Sequence, residues 1–336
     1  MKQLLAISLL TLLAGPAAAI DERSPEQIVH GREAVTRYYL AAAEAGGDVL
    51  SDAYLLKALA LSSGDPEIRA RLDLALMARV DLVRAQLSAR VQAARNNDPV
   101  LVSSELRCQP SVRLQAACSE DLARLAELAG DNGYHHFVLM GHAWVREDAE
   151  GVLRHARLAA QAPDFRHDIG VVFRSVHQRL RQAPDDLMPR PEGVDDTAPA
   201  AGLAAMGIAA AFALPAYQNY VQPCRESEGE LRAYCLAIAD RLLEESAVGI
   251  DIAIAHAIYG ALGETERQAA SQVLRDRLRW QMQAAASMEE RFDRRQWQAY
   301  FDAYAEGGEK AALAYATEAL GVPLDPPPGW SPESPL

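Results

Sequence analysis

Four cysteines constrain this chain more than any other residues. They fall in two pairs of nearly equal spacing, Cys108 with Cys118 and Cys224 with Cys235. Ten residues of unbroken helix would hold two Cα atoms about 15 Å apart, whereas a disulfide needs them within about 7 Å. If each pair closes locally, the chain must turn inside it, and Pro110 and Gly229 are residues suited to those turns. Four cysteines allow three pairings, and sequence alone leaves all three open. The two local pairings are favoured because each partner lies ten or eleven positions away. A zinc site built from all four is disfavoured, because the tight C-x-x-C spacing is missing.

Disulfides persist outside the cytosol, and residues 1–19 point the same way. Lys2 precedes an apolar run from Leu4 to Leu13, and Ala17-Ala18-Ala19 gives a small-x-small cleavage pattern. The segment reads as a secretory signal peptide cut after Ala19. Ten apolar residues are too few to cross a bilayer. The expected location is therefore periplasmic or secreted, with no stable membrane span after cleavage. The formal net charge is −13, and loss of the lysine in the signal leaves −14. A surface this acidic repels nucleic acid and anionic lipid, so neither is an expected partner.

Half of the residues are apolar. Alanine dominates, leucine and arginine follow, and β-branched residues are sparse, which is helix-forming composition. The expected fold is all-α: an array of antiparallel helix hairpins of the α-solenoid type, in two related halves, each with a local disulfide. The signal at 1–19 precedes an N-terminal helical half over 20–182. A Pro/Asp-rich linker or loop covers 183–200, a C-terminal helical half 201–322, and an irregular proline-rich tail 323–336. Ser24-Pro25-Glu26-Gln27 predicts a capped helix start. A long helix is expected from Glu67, because Ile68, Leu72, Leu76, Val80, Val83, Leu87 and Val91 recur at threes and fours. Another helix is expected over Phe165 to Arg181. Both halves run cysteine, loop, cysteine, helix, small-residue helix, polar helix, which suggests a diverged duplication.

Leu139, Gly141, Ala143, Ala156, Ala159 and Pro163 fall near the small, apolar and terminating places of a two-helix unit. Through them residues 130–163 resemble a tetratricopeptide-type hairpin. That resemblance implies helix pairs stacked side by side, with a long concave face suited to extended or helical ligands.

No cluster of residues identifies a reaction. His135 and His142 share a helix face but stand about 10 Å apart along the axis, too far to hold one metal alone. His256 reads as a buried histidine, with Asp251 or Asp240 as the acids that could pair with it. Asp164 and His167, an acid and a histidine at i,i+3, could hold a cation, but the stretch through Asp168 reads more readily as a helix start with Asp164 as the cap. Glu289, Glu290 and Asp293, interleaved with Arg291, Arg294 and Arg295, read as a solvated face. Trp144, Trp280, Trp297, Tyr300, Phe301 and Tyr304 read as core packing, with a partner groove as the minority alternative. No catalytic, metal-binding or cofactor-binding residue is nominated, and no cofactor is expected. The leading expectation is an exported non-catalytic helical protein that binds another protein or peptide in the cell envelope. The alternative is an enzyme, or a metal- or small-molecule-binding protein, with a His/acid site between the halves. Two histidines and two acids within about 4 Å of one another in a pocket would favour that alternative.

Overall fold

A computed structural model describes residues 24–104, 116–184, 187, 198–213, 218–245 and 247–331. The expected signal peptide, Cys108, Pro110, most of the 183–200 linker and the last residues of the tail lie outside them. Among the described residues every regular element is helical, beside one isolated β-bridge between Asn132 and Asp164.

The helices are α1 (Pro25–Glu44), α2 (Val49–Ser63), α3 (Pro66–Arg71), α4 (Leu74–Ala94), α5 (Pro99–Ser104), α6 (Ala116–Leu128), α7 (Gly133–Val145) and α8 (Ala149–Gln161). They continue as α9 (Asp168–Leu180), α10 (Ala198–Ala213), α11 (Gln218–Arg225), α12 (Gly229–Glu244), α13 (Gly249–Leu262), α14 (Thr265–Ala285), α15 (Met288–Arg291) and α16 (Arg294–Leu320). No helix among the described residues is long and apolar enough to cross a membrane.

Local chemistry sets the ends. Ser24 and Gln27 cap α1 reciprocally, with Pro25 at its first position. The long helix expected from Glu67 is two helices. Asp73 accepts hydrogen bonds from Ala75 N–H at 2.6 Å and Leu76 N–H at 3.3 Å, and Leu72 before it is extended, with ψ 150°. A side chain that satisfies the free amides of a new helix start competes with continuation of the old helix. The apolar stripe runs unbroken across the join, so periodicity alone conceals it. The helix expected at Phe165 starts instead at Asp168, for a reason found in His167 and given below.

The chain clusters into two compact units. The first holds the chain up to Arg95, Val171–Ala213 and Asp293–Gln298. Within it α2 packs on α1, α4 and α10, and α1 packs on α4. Tyr38, Leu40, Tyr54, Leu55, Leu59, Val80 and Leu87 are fully enclosed there.

The second unit holds Asn96–Gly170, Leu214–Phe292 and the chain from Ala299. Here α7 packs on α8 and α11, α8 on α12, α12 on α13, and α13 on α14. Small residues make the closest approaches: Ala143, Ala156 and Ala159 are fully buried, and a Cβ on Gly141 would lie 1.9 Å from the Tyr220 ring. Cys224 in α11 is bonded to Cys235 in α12, with Cα atoms 5.6 Å apart. Gly229, at φ +53°, supplies the turn between them. Cys118 is also disulfide-bonded. Trp280, Tyr300, Phe301 and Tyr304 are buried in this unit and Trp297 in the first, so these aromatics pack cores.

Candidate functional site

A cluster of titratable side chains, Tyr134, His135, His167 and Asp168, lies at the start of α7. Asn132 accepts from Tyr134 N–H at 3.1 Å and from Arg166 N–H at 3.0 Å, and donates through Nδ2 to the Arg166 carbonyl at 2.9 Å. Gly133 N–H donates to the Asp164 carbonyl at 2.7 Å. These bonds lay residues 164–168 along the first turn of α7. Gly133 permits the approach of α8 as well, since a Cβ there would lie 2.6 Å from the Ala159 carbonyl oxygen.

Two polar pairs result. Tyr134 Oη lies 3.0 Å from His167 Nε2, and His135 Nε2 lies 2.9 Å from Asp168 Oδ1. His167 Nδ1 accepts from Ile169 N–H at 3.0 Å, so the imidazole itself caps α9. An accepting Nδ1 carries no proton, which places the proton of the neutral ring on Nε2, facing the Tyr134 hydroxyl. Burial holds His167 down at about 4, with repulsion from His135 adding to it against the pull of Asp168. His135 behaves oppositely. Burial pulls it down, but the charge and hydrogen bond of Asp168, helped by Asp98, outweigh burial and leave it raised. The His135 and Asp168 side chains are 3% and 7% exposed. His135 Nδ1 is enclosed without a hydrogen-bond partner.

Four other histidines make contacts of their own. His136 on α7 and His155 on α8 stack with ring centroids 5.6 Å apart and planes 25° from parallel. Burial lowers both; His155 falls to about 4, with Arg154 and His136 adding repulsion. His142 also falls to about 4, through burial and then Arg146. His256 Nδ1 meets Ser271 Oγ at 3.0 Å. Neither acid named for it is its partner: Asp240 receives the Tyr259 hydroxyl and Arg267, both at 2.7 Å, and Asp251 is buried under the influence of Glu309. Asp164 does not cap α9; its carboxylate pairs with Arg166. Among the described residues no group of three or more His, Cys, Asp or Glu side chains could hold a metal ion.

The first unit contains a buried ion pair that sequence reasoning missed. Arg179 Nη2 lies 2.8 Å from Asp52 Oδ1, and each side chain is 1% exposed. The guanidinium also donates to the carbonyls of Ala42 at 2.7 Å and Ala43 at 3.0 Å, in the last turn of α1. Arg90 Nε lies 3.0 Å from Asp52 Oδ2. Burial pushes Asp52 up and Arg179 down, each opposed by the attraction of the other. Gly47 leaves the room: a Cβ there would lie 1.6 Å from Arg179 Nη1.

The same unit carries an open groove of about 500 Å³ between α2 and α4, lined by Leu56, Lys57, Ala60, Asp81, Arg84, Ala85 and Ser88. Leu61 and Leu82, 61% and 60% exposed, lie on the same two helices. Asp81 is engaged by Arg69 at 2.9 Å. No protein-family model, no curated protein and no solved structure matches this chain.

Proposed function

We propose that this is an exported, non-catalytic helical protein that binds another protein or peptide in the cell envelope, with the α2/α4 groove as the contact surface. The observation that carries the reading is the groove itself. Its lining is apolar through Leu56, Ala60 and Ala85 and polar through Lys57, Asp81, Arg84 and Ser88, and the same two helices carry two largely exposed leucines, Leu61 and Leu82. Exposed leucines beside a concave, mixed-polarity surface fit a partner's apolar side chains better than they fit water. Export is supported by the residue pattern of 1–19 and by disulfide bonds at Cys118, Cys224 and Cys235. The reading of the chain as stacked tetratricopeptide-like hairpins in two related halves belongs to the same proposal. Its support is that α7 with α8, and α12 with α13, are neighbours in sequence packed on one another.

An enzyme reading has one observation in its favour, the His135–Asp168 contact beside Tyr134 and His167. A general base must reach its substrate, and these side chains are enclosed. They serve better as a clasp that fixes the start of α9 against α7.

The test is site-specific photocrosslinking from Leu82 in the native host, with Arg157 on the exposed face of α8 as the control position. One discrete adduct in the envelope fraction from Leu82, lost in an Arg84→Glu variant and missing from Arg157, is the expected result. Equal adducts from both positions, or recovery of the chain in the cytosol, would defeat the proposal.

A further inference from the structure

α16 is interrupted at Gly308, whose φ 72° and ψ −164° are not helical. A Cβ at that position would lie 2.3 Å from the Ala247 carbonyl oxygen, and Lys310 N–H donates to that same oxygen at 3.3 Å. The interruption therefore docks on the chain just before α13. It delivers Glu309 to the helix start, where Glu309 Oε2 accepts from Gly249 N–H at 2.7 Å. Val248, the cap residue of α13, makes no side-chain cap bond, so Glu309 caps this helix from a distant part of the sequence.

A second carboxyl group stands at the same helix start. Asp251, two residues on and about 3 Å further along the axis, is 3% exposed, and its Oδ1 is buried without a hydrogen-bond partner. Asp251 is enclosed in the first turn of the helix that the half-buried Glu309 caps; two carboxylates so placed repel, and the cheapest relief is to keep a proton on the enclosed one. Among the described residues no arginine or lysine acts on the pair. The groups that act on the pair are each other, the Val248 backbone at Asp251 and the Gly249 amide at Glu309. Tyr300 and Tyr304 on α16 also feel the Glu309 charge. From the neighbouring helices the contacts are apolar, with Leu278 of α14 near Gly249 and Leu243 of α12 packed beside Ile252 and Leu278.

We propose that Asp251 and Glu309 hold one proton between them and form a latch that fastens the C-terminal part of α16 to the start of α13, opened when that proton is lost to solvent. With the proton on Asp251, the single negative charge rests on Glu309, where the Gly249 amide and the positive end of the helix favour it. Burial of Asp251, reinforced by the Glu309 charge, keeps its carboxyl well above the ordinary carboxylate range; burial also raises Glu309, against the hydrogen bond from Gly249 N–H. On deprotonation two charges share the site, and Gly308 is the point at which the chain gives.

The experiment uses the full chain. Infrared difference spectra between pH 5 and pH 9 report protonated carboxyl groups. Hydrogen exchange of 249–252 and 309–313, corrected for intrinsic rates, reports the latch. The expected result is a protonated-carboxyl band at pH 7 that disappears on going to pH 9, in step with a tenfold or greater loss of protection confined to those two segments. Asp251→Asn, which mimics the protonated acid, removes the band and keeps protection flat with pH. Glu309→Gln relieves the repulsion in the same way and also keeps protection flat. If neither variant folds, the wild-type comparison decides alone. No band at pH 7, a band that titrates out of step with exchange, or an Asp251→Asn variant with unaltered pH dependence would overturn the proposal.

Discussion

Arg179 closes α1 from 136 residues away, donating into its last turn while holding Asp52. Each bond is modest in water, but inside the core they are interdependent, because an unpaired buried charge is far more costly than a buried pair is helpful. Arg179→Met leaves the Asp52 carboxylate to Arg90 alone and strips the cap from Ala42 and Ala43. We expect it to cost about 3–5 kcal/mol. The Asp52→Leu, Arg179→Met double variant should cost much less than the two single changes summed, since it removes both charges together. Urea midpoints in a double-mutant cycle measure this, and strictly additive costs would mean that the two groups do not depend on one another. Nothing in the sequence links positions 52 and 179. An aspartate in the first turn of a helix and an arginine near the end of another are ordinary there, and only the fold brings them to the same point.

Among the elements, the helices that periodicity and caps both define were legible. Ser24 with Gln27, and Gly263 in the left-handed conformation after α13, mark ends that the sequence announces. What escaped were ends fixed by a side chain in a second role. Asp73 splits a continuous apolar stripe, and His167, not Asp164, caps α9 because its Nδ1 is pinned on Ile169 N–H. The cluster at α7 was half legible: His135 and His167 each drew attention, but in separate patterns, and pairing of His135 with Asp168 needs the Asn132–Asp164 bridge that aligns the two segments. Close helix approach is where the small residues of α7 and α8 become testable. A methyl group at Gly141 meets the Tyr220 ring of α11 directly. Gly141→Ala should therefore destabilise by about 1–3 kcal/mol despite the better helix propensity of alanine. Tyr220→Leu in the same chain should recover part of that loss. A Gly141→Ala variant with an unchanged or higher melting temperature would show that α11 can withdraw without penalty.

Over the whole molecule, buried titratable groups with lowered and with raised pKa pull stability in opposite directions. His142, His155 and His167 are held at about 4 by burial first of all, against about 6.5 in an unfolded chain. Between those values the unfolded state binds more protons, so their contribution is complete above pH 6.5 and is lost as pH falls toward 4. His135, raised in the fold, contributes below 6.5 and loses that contribution as pH rises through its folded value. Asp251 follows the same sense as His135: its protonated form suits the fold, and its contribution fades as pH rises. Three of the four tryptophans, Trp144, Trp280 and Trp330, lie in the second unit with all these groups, so their fluorescence follows its unfolding. His155→Phe keeps a ring stacked on His136 and removes one titrating group whose Nδ1 has no hydrogen-bond partner to lose. Between pH 4.5 and 6 the stability of this variant should rise with pH less steeply than the wild type, by about 1.4 kcal/mol per pH unit, the equivalent of one proton. Parallel curves for the two proteins would mean that His155 titrates in the fold as it does in water. Burial between α7 and α8 would then not be what keeps it neutral.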